Sequence, residues 1–96
     1  MSNSYFVYMI SNKSLKPIYT GVTNNLTRRI YEHKKELHNS YSKKYKLKNL
    51  LYFEETNDIN LALNREKQLK TWHRDWKINI IKIKNPCFYD LSQNWF

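Results

Sequence analysis

Two tyrosines, an arginine, a histidine and a glutamate are the residues of this chain whose types and spacing could act on a phosphate. Tyr8 closes Phe6-Val7-Tyr8, Tyr19 opens Tyr19-Thr20-Gly21, Arg29 and His33 follow four positions apart, and Glu66 lies within a later apolar stripe. A spacing of four puts Arg29 and His33 on one helical face, from which both can reach one pocket. A carboxylate on a core-facing stripe must find a hydrogen-bond partner, a cation or a metal, because burying it alone is expensive. A bound Mg²⁺ would meet that need at Glu66. A free phenol, with a pKa of about 10, keeps its proton at neutral pH. A tyrosine that serves as general base therefore needs adjacent cations or a metal-bound water. Each residue also has a plain alternative: Arg29, His33 and Glu66 as edge residues in ion pairs, and the tyrosines as core aromatics with hydroxyls reaching water.

Gly21 is the single glycine of the 96-residue chain and sits between a strand-like run and a helix. Lacking Cβ, it allows positive φ or close approach of another group, so it marks a place where no side chain fits. The chain length suits one small domain with room for one site. A net charge of +9, from 17 Lys+Arg against 8 Asp+Glu, makes nucleic acid the leading partner. No segment approaches the ~18 apolar residues of a membrane span. One cysteine, Cys87, rules out an internal disulfide, and Met1 to Tyr5 lacks the basic lead-in of a secretory signal. A cytoplasmic protein is expected.

The elements that must position these residues read as follows. Tyr5 to Ser11 and Ile18 to Thr23 form a hairpin of two strands. Thr23, Asn24 or Asn25 caps a helix from Leu26, with Leu26, Arg29, Ile30, His33 and Leu37 at helical spacing. His38 to Lys48 has no clear period and reads as a basic, tyrosine-bearing loop. Asn49 to Thr56 is a third strand. Asp58 caps a helix running to about Thr71, with Ile59, Ala62, Leu63, Glu66 and Leu69 on one side. Arg74 to Lys84 is a last helix, packing through Trp76, Ile80, Ile81 and Ile83 and stopped by Asn85-Pro86. The order is β-β-α-β-α-α, an α+β domain spanning residues 1–96.

Phe6-Val7-Tyr8 and Tyr19-Thr20-Gly21, with Arg29 on the first helix and Glu66 on a later one, resemble the two signature tripeptides and catalytic positions of the GIY-YIG nuclease superfamily. Gly21 through Lys34, Arg65 through Trp72, and Asn85-Pro86 with Asp90-Leu91 resemble its small stand-alone bacterial branch, the YhbQ-like proteins. The resemblance covers nearly the whole chain. It implies a three-stranded antiparallel sheet flanked by helices, one divalent ion, Mg²⁺ or Mn²⁺, on Glu66, and hydrolysis of a phosphodiester. Tyr19, with Tyr8, would orient or deprotonate the attacking water, and Arg29 would stabilise charge on the phosphate. His33 would carry a proton or contact the phosphate. Asn85 matches a late family asparagine, with a cap or turn role before Pro86 as the alternative. The name-giving first glycine is replaced by Phe6, and Thr20 stands in place of isoleucine.

On this reading the chain is a metal-dependent endonuclease of low sequence preference, linked to DNA repair or processing. The low preference follows because no separate base-reading module is present, and DNA is the expected substrate with RNA left open. Arg28, Lys43, Lys44, Lys46 and Lys48, interleaved with Tyr41 and Tyr45, are the expected nucleic-acid contacts. The alternative is a nucleic-acid-binding module with little or no turnover. A protein-interaction domain using Trp72, Trp76 and Trp95 is a third class, against which the helical spacing of Trp72 and Trp76 favours core packing.

Overall fold

The run Val7 to Ser11 is buried on both faces, which makes β1 (Tyr5–Ser11) the middle of a sheet. The computed structural model describes residues 4–37 and 40–96. It contains β2 (Tyr19–Thr23), α1 (Leu26–Lys34), α2 (Ser40–Tyr45), β3 (Asn49–Thr56), α3 (Ile59–Thr71) and α4 (Arg74–Lys84). The sheet order is β2-β1-β3, antiparallel throughout. Alternation splits the core: Tyr8 and Ile10 pack with Leu26, Ile30, Leu47 and Leu50, whereas Val7 and Met9 pack with Ala62, Leu69 and Ile81. The tyrosine face therefore meets α1, and the opposite face meets α3 and α4.

Local chemistry sets the helix starts. Asn25 Oδ1 accepts from Arg28 N at 3.1 Å, and Asp58 Oδ1 accepts from Asn60 N at 2.8 Å. The pairing of β1 with β3 shifts between Met9 and Ile10, from Met9 opposite Tyr52 to Ile10 opposite Leu50, and Leu51 is the extra residue of the bulge. The C-terminal segment closes the outer edge of β3. Asp90 Oδ1 accepts from Leu50 N, Leu91 N donates to Leu50 O, and Asn85 Nδ2 donates to Leu51 O. Although burial opposes the charge, Lys34 Nζ at 2.6 Å and hydrogen bonds from Ser92 and Leu50 hold the Asp90 carboxyl below its ordinary range.

Four sequence expectations need correction. Residues 40–45 are helical instead of looped; six residues are too few to display a period. Residues 38 and 39 of that expected loop lie outside the described residues. Leu37 lies beyond the end of α1 and is exposed, and Ile59 and Leu63 of α3 are exposed as well. Trp76 is 56 % exposed and Ile83 also faces solvent, so α4 packs through Ile81 with Ile80, while Trp72 is half-buried against the core. Among the described residues no helix is long and apolar enough to cross a membrane.

Thr20 is buried opposite Met9, and among the described residues its Oγ1 has no hydrogen-bond partner. An unmet buried hydroxyl costs about 1–3 kcal/mol. Thr20→Val, of nearly equal shape, should therefore raise the melting temperature by about 4–8 °C for each kcal/mol recovered. An unchanged or lower melting temperature would show that the hydroxyl is not a liability.

Candidate active site

Tyr8 is fully buried in the middle of β1, directly opposite Gly21 of β2. Its ring lies across that glycine: a Cβ on Gly21 would meet Tyr8 Oη at 2.5 Å and Cζ at 2.6 Å. Gly21 does not have positive φ, so close approach and not backbone conformation is what requires it. Tyr8 Oη is 3.2 Å from His33 Nε2, and His33 Nδ1 is 2.7 Å from Ser42 Oγ. The Tyr19 ring completes the cluster, 6.5 Å from Tyr8 and 6.1 Å from His33 between centroids.

Burial pushes the Tyr8 phenol up to about 12; Tyr19 adds to the rise, the Arg29 guanidinium opposes it by charge and hydrogen bonding, and the Glu66 charge adds a smaller upward push. Tyr8 thus keeps its proton. The Tyr8 and Ser42 hydroxyls each engage one ring nitrogen of His33, and either can act as donor or acceptor to it. Arg29 and His33 share one face of α1, as their spacing requires. Arg29 Nε is also buried, 3.3 Å from Glu32 Oε1.

Glu66 comes from α3, on the other side of the sheet from α1. Its neighbour Arg65 anchors that helix, with Nε 3.0 and 3.1 Å from the two Glu54 carboxylate oxygens and Nη2 2.9 Å from Oε2. The Glu66 carboxylate is largely covered and pairs with Lys70 Nζ at 3.4 Å. Its charge acts to raise the Tyr8 phenol and is the smallest of the influences on it.

The residues expected from sequence to bind nucleic acid have different environments. Arg28, Lys43 and Lys44 are exposed. Lys46 and Lys48 are not free cations: both hold Glu36, at 2.8 and 3.3 Å, and keep its carboxyl below the usual range. Asn85 is buried, donating to Leu51 O and Tyr89 O and accepting from Tyr89 N, so its amide ties the C-terminal segment to β3 and the structural alternative describes it. Sequence reading missed Ser42, which sits on the unpredicted helix α2.

A family model described as the GIY-YIG catalytic domain matches residues 4–79. The chain belongs to the GIY-YIG family. This is a nuclease superfamily whose members generally use a divalent metal. A UPF0213 protein of Syntrophus aciditrophicus is 33 % identical over 87 residues, covering 90 % of this chain and 97 % of its own. A UPF0213 protein of Staphylococcus aureus is 33 % identical over 82 residues, covering 83 % and 96 %. The solution structure of a Bacillus halodurans UPF0213 protein shares the fold, with a TM-score of 0.58, 21 % identity, and 95 % and 97 % of the two chains covered.

Among the described residues no group of three or more His, Cys, Asp or Glu converges as in a closed cage. A single carboxylate such as Glu66 is chemically compatible with a divalent ion that keeps several waters and takes further oxygens from phosphate.

Ser42 offers a test of the buried chain from Tyr8 through His33. Ser42→Ala removes one hydrogen bond to Nδ1, worth about 1 kcal/mol net, or about fivefold in a rate that depends on the imidazole's setting. Ser42→Thr should restore it. The expected sign is a slower reaction with a displaced pH–rate profile; a profile and rate identical to those of the unaltered protein would mean that the Ser42 bond sets nothing in the reaction.

Proposed function

We propose that this chain is a divalent-metal-dependent endonuclease that hydrolyses DNA phosphodiesters with little sequence preference, chosen by shape, in DNA repair or processing. The observation that carries the reading is the convergence of Tyr8, Tyr19 and His33 at the sheet face, with Arg29 one turn before His33 on α1. Glu66 would hold the metal, which when bound supplies Lewis-acid charge to a phosphate oxygen and acidifies water.

The chain's own residues divide the remaining work. Tyr19, half-buried where Tyr8 is fully enclosed, is the phenol that solvent can reach; it orients the attacking water and takes that water's proton as it gives up its own to His33. Tyr8 stays neutral and locks His33 in place. The Arg29 guanidinium faces the charge that grows on phosphate as the new P–O bond forms and the strand's P–O bond breaks. His33, the proton carrier nearest the phenols, takes the proton that Tyr19 gives up and returns it to the leaving oxygen.

The test is cleavage of single-stranded, duplex, flapped and branched DNA with Mg²⁺ or Mn²⁺, each repeated with excess chelator. Metal-dependent cleavage that the chelator abolishes is expected. Absence of cleavage on every shape with either metal, alongside salt-dependent binding, would replace this reading with that of a binding module.

A further inference from the structure

Beside Tyr19, an open cleft of about 340 Å³ is lined by Lys16, Pro17, Tyr41, Tyr45 and Arg74. Tyr41 is 46 % and Tyr45 37 % exposed, so both leave much of their aromatic surface to solvent. Ring centroids lie 6.2 Å apart from Tyr19 to Tyr41 and 4.9 Å from Tyr41 to Tyr45, forming an aromatic path from the candidate site into the cleft. Resting on the nuclease reading, we infer that this cleft is a subsite for one unpaired nucleotide, its base stacked on Tyr41 and Tyr45 and its flanking phosphates met by Lys16 and Arg74.

The walls are built to stay in place. Asn12 Nδ2 donates to Lys16 O at 2.6 Å and to Tyr45 O at 2.7 Å, so one amide pins the two sides together. Ser11 Oγ donates to Pro17 O at 2.7 Å and fixes the floor of the same turn. A cleft held this way needs little ordering when it is filled.

Charge and ring chemistry select the occupant. Among the described residues neither Lys16 nor Arg74 pairs with a carboxylate, in contrast to Lys46 and Lys48, and Lys44 Nζ lies 5.4 Å from the Tyr45 ring centre. Cations around exposed aromatic faces suit a polyanion that also carries flat rings. In a duplex both faces of a base are covered by its neighbours, whereas an unpaired base can stack on a tyrosine. The cleft therefore favours single strands, flaps and loops over continuous duplex, and it gives the site a preference for shape without base reading.

The experiment uses the full chain without divalent metal, so that binding is measured apart from cleavage. The probes are a short single-stranded oligodeoxynucleotide carrying 2-aminopurine, the same sequence as RNA, and the corresponding duplex, with affinity read by anisotropy. Quenching of 2-aminopurine and a single-strand preference are expected. Tyr41→Ala and Tyr45→Ala should each weaken the single strand about tenfold or more and leave the salt slope unchanged, while Tyr41→Trp retains binding. Arg74→Gln and Lys16→Gln should each lower the salt slope by about one. Whichever polymer, DNA or RNA, binds more tightly is the source of the nucleotide and must show the tyrosine dependence. Unquenched 2-aminopurine with unaltered affinity in folded tyrosine variants would overturn the subsite and leave the nuclease reading to its cleavage assay. A protein that binds none of the probes at low salt would overturn both.

Discussion

Glu66→Gln should abolish metal-dependent cleavage while leaving the fold and DNA binding intact. The substitution keeps the shape of the side chain and removes the charge that would hold a divalent cation. A bound metal contributes several kcal/mol of charge stabilisation to a phosphoryl transition state, and about 1.4 kcal/mol is tenfold in rate, so a loss of at least about 1,000-fold is expected. Stability should hardly change. The interaction given up is the Lys70 pair at 3.4 Å, an i,i+4 contact with a half-exposed lysine, worth about 0.3–0.5 kcal/mol. Affinity for DNA without metal should hold or rise, because a negative charge near the phosphate has gone. Removing that charge also relaxes one of the upward pushes on Tyr8, so the phenol's titration should move down. Melting temperature, metal-free affinity and cleavage measured on the same variant separate the roles. Full cleavage would exclude Glu66 as the ligand, and a large fall in melting temperature would make it structural.

What was legible in the sequence was what depends on nearest neighbours and short periods. The strands Tyr5–Ser11 and Asn49–Thr56 stand where β-branched and aromatic runs put them, and Asn25 and Asp58 cap their helices through their own side chains. Arg29 and His33 share a face because a helix repeats every 3.6 residues. The candidate site residues drawn from separate elements came into view through the family resemblance, since no spacing links Glu66 on α3 to the phenols of β1 and β2. What escaped depends on tertiary packing. The helix Ser40–Tyr45 is too short to show a stripe, and so Ser42 offered no sign of reaching His33. In α4 the apolar residues outnumber the positions the sheet can cover, which leaves Trp76 and Ile83 outside while Ile81 is enclosed. Lys46 and Lys48 belong to a basic run in the sequence, yet Glu36, in the turn after α1, draws both to itself.

Gly21→Val should damage the protein more than the loss of any surface lysine, and the reason is the phenol and not the backbone. The first side-chain atom would arrive 2.5 Å from Tyr8 Oη, well inside contact distance. The ring cannot simply move aside, since His33 Nε2 lies 3.2 Å from the same oxygen and the residue is fully enclosed. Either the β1–β2 pairing opens at Tyr8 and Gly21, or the phenol leaves His33. Overpacking of this kind costs about 1–3 kcal/mol, which in a domain of this size lowers the melting temperature by about 4–8 °C per kcal/mol. A displacement of about 1 Å at the reacting groups is enough to cost about 100-fold in rate. Gly21→Ala, the smaller insult, should retain the fold and still lose activity. Combining Gly21→Ala with Tyr8→Leu should give back part of the lost stability without restoring cleavage, because the two residues contend for one space. Additive stability losses in that double variant, or a Gly21→Val protein with normal melting and normal cleavage, would mean that the lone glycine is not there to make room for Tyr8.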